Sequence, residues 1–181
     1  MTQIIPYASL KATQWANGGG ITRQVASGTA ASTTLGSGTK GEDWDWRISL
    51  ADVAKAGPFS PMPGFERILT IIDGELIALS VDGVEHGLEK FRPYRFSGDS
   101  ETSATLPTGA LKDLNVIARR GVFKGFATIV ELSKKRPHPV FEGQFAVLLQ
   151  GNAIVADPLP ETADAGPSLT LKVLDTVVGA E

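Results

Sequence analysis

Short apolar runs of alternating period, each closed by a glycine- or proline-containing turn, recur along this chain and restrict it to a β-sheet fold. In Trp44-Asp45-Trp46-Arg47-Ile48-Ser49-Leu50 the alternation puts Trp44, Trp46, Ile48 and Leu50 on one face and Asp45, Arg47 and Ser49 on the other. Arg67–Ile72, Leu76–Val81, Leu114–Ala118, Phe126–Leu132, Phe145–Leu149 and Leu169–Val178 read as further strands. Between them stand Asp73-Gly74, Asp82-Gly83, Ser97-Gly98-Asp99, Pro107-Thr108-Gly109 and Gln150-Gly151-Asn152. These are turn residues because Gly takes positive φ freely and Asp or Asn bonds its own backbone. One helical turn is expected over Ala51–Ala56, ahead of Gly57-Pro58. The pattern predicts an all-β sandwich or barrel.

An internal repeat refines this. Thr70-Ile-Ile-Asp-Gly74-Glu-Leu-Ile-Ala matches Val147-Leu-Leu-Gln-Gly151-Asn-Ala-Ile-Val: an apolar strand, a polar-Gly corner, then a second apolar strand. Two such units predict a duplicated β-barrel, two jelly-roll halves in one compact chain, with residues 1–121 forming the first half and 122–181 the second. Ser27–Gly41, rich in Gly, Ser and Thr, is expected to be a flexible loop, and Asp157–Pro167 a second surface excursion.

Composition removes several function classes. With 42% hydrophobic and 20% charged residues the chain is an ordered globular protein. A net charge of -3 and dispersed basic residues, clustered only at Lys134-Lys135-Arg136, leave no footprint for nucleic acid. No apolar stretch reaches the length of a membrane span, and the first residues lack the pattern of a secretory leader, so a cytoplasmic location is expected. The absence of cysteine excludes disulfides, thiol catalysis and cysteine-metal sites. His86 lies in a polar hairpin and His138 between two prolines. Both read as surface residues, and two separated imidazoles supply neither a cupin metal centre nor a Ser-His-Asp triad. No metal, no cofactor and no catalytic residue is assigned.

Arginine carries the site argument. In Trp15-Ala-Asn17-Gly18-Gly19-Gly20-Ile-Thr22-Arg23 the bare glycine amides beside a guanidinium could trap a small anion, or the glycines could simply allow a close-packed hairpin. No Lys-Ser/Thr pair and no helix follow, so a phosphate loop is excluded. Alternation turns Asn115, Ile117 and Arg119 one way and Val116, Ala118 and Arg120 the other. If polar strand faces look into a barrel interior, guanidinium and amide groups converge there. A guanidinium pairs bidentately with a carboxylate and keeps its charge, so an organic acid is the expected ligand. Arg47, Arg67, Asn115 and Arg119 are the candidate contacts, Asn17, Arg23 and Arg120 the supporting residues, and Trp15, Trp46 and Phe59 the apolar walls. The opposing reading gives each arginine an ordinary ion pair and each aromatic a place in the core. Asp52, Asp99 and Asp113 are expected to orient arginines and turns.

These motifs, in order, resemble one family. Trp15-x-Asn17-Gly-Gly-Gly-x-Thr22-Arg23, Asp45-Trp46-Arg47-Ile-Ser49-x-Ala51-Asp52-Val53, Gly57-Pro58-Phe59-Ser60 with Pro63-Gly64 and Arg67, Phe96-Ser97-Gly98-Asp99, and Asp113-x-Asn115-Val116-x-x-Arg119-Arg120-Gly121 are similar to the HutD/Ves family. The resemblance covers residues 2 to 121 strongly and the remainder loosely. It implies a bicupin without the usual metal-binding histidines, and a part in regulating histidine utilisation. The implied ligand is a pathway intermediate such as N-formylglutamate or urocanate. The Ves branch is linked instead to environmental stress. The competing reading is a metal-independent isomerase or hydrolase using Glu66 or Asp52 as acid/base; a third is a scaffold docking a partner protein by a strand edge. Pairing with a second copy through edge strands is open at this stage.

Overall fold

A computed structural model describes residues 2–37, 43–156 and 169–180. Among these, regular structure is extended apart from one 3-10 turn at Tyr7–Ser9, so the protein is all-β. Contacts divide it into two units: Lys11–Ile129, and the first ten residues together with those from Val130 onward. The expected join at 121/122 falls within the larger unit.

In the larger unit, β2 (Ala12–Gln14), β3 (Gly20–Gly28), β5 (Trp46–Val53), β12 (Leu111–Arg119), β7 (Phe65–Asp73) and β10 (Tyr94–Ser97) lie side by side in that order, and β4 (Thr33–Leu35) also pairs with β3. A second sheet runs β6 (Gly57–Pro58), β11 (Thr102–Thr105), β8 (Leu76–Val81), β9 (Val84–Glu89). Register sets what each face of the large sheet carries. Phe96, Arg67, Ile117, Arg47 and Ser27 form one cross-strand row. Tyr94, Leu69, Asn115, Ser49 and Gln24 form the next, and Ile71, Asp113, Ala51 and Thr22 the third. This inner face therefore grades from polar to apolar along the strands. Its apolar end, with Ala51, Val53, Leu69, Ile71 and Leu111, packs on Ile77, Leu79, Leu88 and Ala104 of the small sheet. Burying each large aliphatic side chain contributes about 1.5–3 kcal/mol, so this contact holds the two sheets together.

The glycine run is a structural corner. Gly18 N donates to Trp15 O at 3.0 Å, Trp15 N to Gly20 O at 2.9 Å, and Gly19 N to Asn17 Oδ1 at 2.8 Å. The amides of Gly18 and Gly19 are thus used within the turn, and the anion trap expected there has lost two donors. Gly18 has φ 67°, while a Cβ on Gly20 would stand 2.5 Å from the Asp52 carbonyl and 3.0 Å from the Trp15 ring. Gly20→Ala is expected to cost about 2–3 kcal/mol through overpacking, and Gly18→Ala, in open space, about 1 kcal/mol of left-handed strain. Urea midpoints of the two variants check that order.

Several expectations are corrected. Ala51–Ala56 holds no helical turn, because β5 continues to Val53 with Ala51 opposite Asp113 and Val53 opposite Leu111. Phe126–Leu132 forms no strand: it is rich in apolar and β-branched residues, but among the described residues no strand pairs with it, and Phe126 is 73% exposed. Leu169–Val178 is interrupted. Leu174 has φ 73°, and β15 (Leu169–Leu171) and β16 (Thr176–Val178) join different sheets. Residues 27–37 are not a free loop, since β4 pairs with Ala26, Ser27 and Gly28. Positions 38–41 of that stretch, and all of 157–167, lie outside the described residues.

The smaller unit pairs β1 (Gln3–Ile5) with β16 and β16 with β13 (Phe145–Val147), while β14 (Ala153–Val155) pairs with β15. Leu148, Leu171 and Val177 form its core. The repeat corners behave alike: Gly74 (φ 87°) passes the chain from β7 to β8, and Gly151 (φ 77°) from β13 to β14, each time from one sheet to another.

Candidate anion-binding site

Arg47 and Arg67 both lie opposite Ile117, one on each side of β12, so their strands are about 9–10 Å apart. Their side chains project from the same inner face. Arg67 is 7% exposed and sits against the rings of Phe59 (5.1 Å) and Phe96 (5.3 Å). Its Nη2 donates to Asn115 Oδ1 at 3.1 Å and its Nη1 to the Ser60 carbonyl at 3.4 Å. Asn115 Nδ2 in turn donates to Asp113 Oδ1 at 2.6 Å. Arg47 lies over the Trp44 ring at 4.7 Å. The Nε atoms of both arginines are buried with no hydrogen-bond partner. An unmet buried donor on a charged group costs about 1–3 kcal/mol or more, a penalty that a ligand acceptor would remove.

Electrostatics point the same way. Burial lowers the pKa of Arg47, and burial lowers that of Arg67 to about 10, with Asp113 opposing and Arg47 adding to the shift. Asp113, 1% exposed, is pushed up to about 7 by burial against the pull of Arg67 and Asn115, with Asp52 adding to the rise. Two guanidinium charges therefore face a single carboxylate that readily takes a proton. Beside Arg47 a cavity of about 250 Å³ is lined by that residue with Thr13, Trp15, Thr22, Gln24 and Ser37. That is below the roughly 300–1,000 Å³ of drug-sized sites and suits a small metabolite.

The other expected residues take different places. Arg119 shares the inner face at the next row, where its Nε donates to Asp45 Oδ1 at 2.6 Å and its guanidinium lies 4.6 Å from the Phe65 ring centroid. Trp15 lines the cavity and donates its indole N–H to Thr22 Oγ1 at 2.7 Å, and Phe59 backs Arg67. Arg23 is on the opposite face, paired with Asp52 at 2.7 Å, and Lys112 also bonds Asp52. Arg120 is exposed there too. It bonds Asp99 at 2.7 Å, which lowers the Asp99 pKa, while Asp99 holds the Gly64 amide at 2.9 Å. Asn17 caps its own turn, and Trp46 lies against Gly28, where a Cβ would stand 2.7 Å from its ring. Glu66 pairs with Arg95 at 3.4 Å and Arg120 at 3.7 Å. Neither Glu66 nor Asp52 reaches the inner face, so the acid/base roles considered for them have no place beside Arg47 and Arg67. His86 is half-buried against Tyr94 at 5.0 Å, and His138 is exposed.

Asp113, Ser49, Gln24 and Trp44 were not among the expected contacts. The first three follow from the same alternation: Asp113 is two residues before Asn115, Ser49 two after Arg47, and Gln24 lies across from Ser49.

The model of the HutD family matches residues 7–180. The chain belongs to the HutD family. This HutD chain is 38% identical over 104 residues to an uncharacterised 21.2 kDa protein in the hutC 3' region of Pseudomonas putida, covering 57% of this chain and 50% of the relative. It is 37% identical over 108 residues to protein Ves of Citrobacter koseri, covering 59% and 52%. The HutD chain thus spans about half the length of the curated relatives it matches. The solved structure of HutD from Pseudomonas fluorescens SBW25, in a formate condition, is similar over 99% of this chain and 94% of that one, at 25% identity and a TM-score of 0.58. By name, the family is linked to histidine utilisation.

Proposed function

We propose that the protein captures a small carboxylate metabolite between Arg47 and Arg67 and, through that capture, regulates histidine utilisation. The observation that carries this reading is the buried guanidinium of Arg67 and the half-buried one of Arg47 on one sheet face, each with a buried Nε that has no acceptor. A carboxylate offers two oxygens in one plane, which is the complement of a guanidinium fork. The formate named for the Pseudomonas fluorescens HutD structure is the simplest such group. N-formylglutamate and urocanate, both carboxylates of histidine degradation, are the leading candidates, and the cytoplasm is where they would be met. We read the two units as the two cupin-like halves of a bicupin, with the sheet-switching corners at Gly74 and Gly151 as corresponding points.

A thermal-shift screen over histidine-degradation intermediates tests the reading. A binder at 100 times its Kd stabilises the native state by about 2.7 kcal/mol, so a clear rise in Tm is expected with at least one carboxylate and none with its amide. A flat response to every carboxylate contradicts it.

A further inference from the structure

Asp113 is the acid buried beside the two arginines on the inner face, while Asp45, in the next row, is held by Arg119, and the position of Asp113 gives it a further role. We propose that anion capture at Arg47 and Arg67 takes up one proton from solvent onto Asp113. This deepens the proposed function and rests on it.

Asp113 is in the row next to Asn115, and Asn115 joins it to Arg67 through two hydrogen bonds. Without ligand, the Asp113 carboxylate is the negative charge facing Arg67. A ligand carboxylate at Arg67 takes over that part. The ligand also brings a second negative charge near Asp113, whose burial already works against ionisation, so the cost of keeping Asp113 ionised rises and it takes a proton. The ligand would touch two guanidinium groups, whereas Asp113 has Asn115 as its side-chain donor and is almost fully enclosed. Asp113 is therefore the acid that protonates. Protonated, it leaves Arg67 to the ligand and still accepts from Asn115.

The surroundings single it out. On the inner face of β5 the charged group is Arg47, with Asp52 on the outer face acting on Asp113 through its charge; on the inner face of β7 it is Arg67; on β10, Tyr94 packs on the same core. From β8, β9 and β11 the facing residues are Ile77, Leu79, Leu88 and Ala104, all apolar, together with the imidazole of His86, which is across from Leu79 and half-buried against Tyr94. The free-state pKa of about 7 places the exchange at neutral pH, and Arg67, at about 10, stays charged throughout. Asp113 acts through Asn115 and Arg67, which makes it a positioning residue.

Calorimetric titration of N-formylglutamate, with urocanate and formate in parallel, at pH 6.0–8.5 in phosphate, HEPES and Tris decides this. In the wild type the apparent heat should vary with the buffer's ionisation enthalpy, with uptake approaching one proton at pH 8. Affinity should hold steady from pH 6 to 7 and fall toward tenfold per pH unit above that. Asp113→Asn should bind with affinity independent of pH and heat independent of buffer. Should that variant not fold, the buffer dependence of the wild type alone settles the point. Binding with no proton uptake overturns the coupling but leaves the carboxylate reading standing. No binding by any of the three overturns both.

Discussion

Replacing Arg47 with alanine should weaken carboxylate binding on the order of 100-fold, about 3 kcal/mol, without loss of the fold. Among the described residues the Arg47 side chain has no hydrogen-bond partner that would tie it to the sheet: its Nε is unpartnered and its guanidinium rests on the Trp44 ring. Burial already works against its charged form, so removing it relieves desolvation and repulsion with Arg67 while giving up one cation–π contact of about 1 kcal/mol. The apo Tm is expected to stay within a few degrees of wild type. In the complex the same truncation takes away a charge-assisted partner in a site shielded from water, where such losses run to about 2–5 kcal/mol. Calorimetry beside a melting curve separates the two effects. Unchanged affinity, or a collapse of the apo fold, would go against this division of roles.

Arg67→Met is the opposite case, with a large stability cost that depends on pH. Arg67 fills the space against Phe59 and Phe96, satisfies Asn115 Oδ1 and supplies the positive field that lowers the Asp113 pKa. Its loss leaves a buried acid without compensation, which costs about 3–5 kcal/mol when that acid must ionise. The sign follows from Asp113. Its folded pKa, about 7, is above the unfolded value of about 3.9, so folding binds protons more tightly. The resulting stabilisation is full below the unfolded pKa and is lost as pH rises toward the folded one. Without Arg67 the folded pKa rises further and the loss extends to higher pH. Urea unfolding should thus show a modest cost for Arg67→Met at pH 5.5 and a larger one at pH 8. Equal costs at the two pH values would mean that Asp113 does not feel Arg67.

Much of this arrangement can be read from the chain. Leu76–Val81 matches β8 in full, and the strands around Arg47, Arg67 and Asn115 are found with longer ends. Period-two alternation groups Arg47 with Ser49, and Asn115 with Arg119, on their own strands, and the register of β5, β12 and β7 then brings Arg47, Arg67 and Asn115 onto one face. What it cannot say is which strands are neighbours. Arg23 and Arg47 look equivalent as sequence, yet the register that sets Arg23 across from Leu50, with the bulge between Gln24 and Ala26, puts Arg23 on the outer face, where it reaches Asp52 diagonally. Phe126–Leu132 shows the converse limit: an apolar, β-branched run favours a strand, but a partner edge decides whether one forms. Ala51–Val53 looks helical by composition, and pairing on both sides with β3 and β12 overrides that preference. Asp113 is inside β12 rather than ahead of it, because that strand starts at Leu111, earlier than the apolar run from Leu114 suggests.

The most direct test is to locate the anion. Crystals soaked in bromoacetate, with data collected at the bromine edge, should show an anomalous peak beside Arg47 and Arg67 that is absent in Arg47→Ala. A second cationic surface exists on the outer face, a groove of about 580 Å³ bordered by Arg95, Arg120 and Lys124, and it serves as the internal control. Bromine found only in that groove, with the inner face empty at saturating ligand, would contradict the assignment of Arg47 and Arg67 as the carboxylate site.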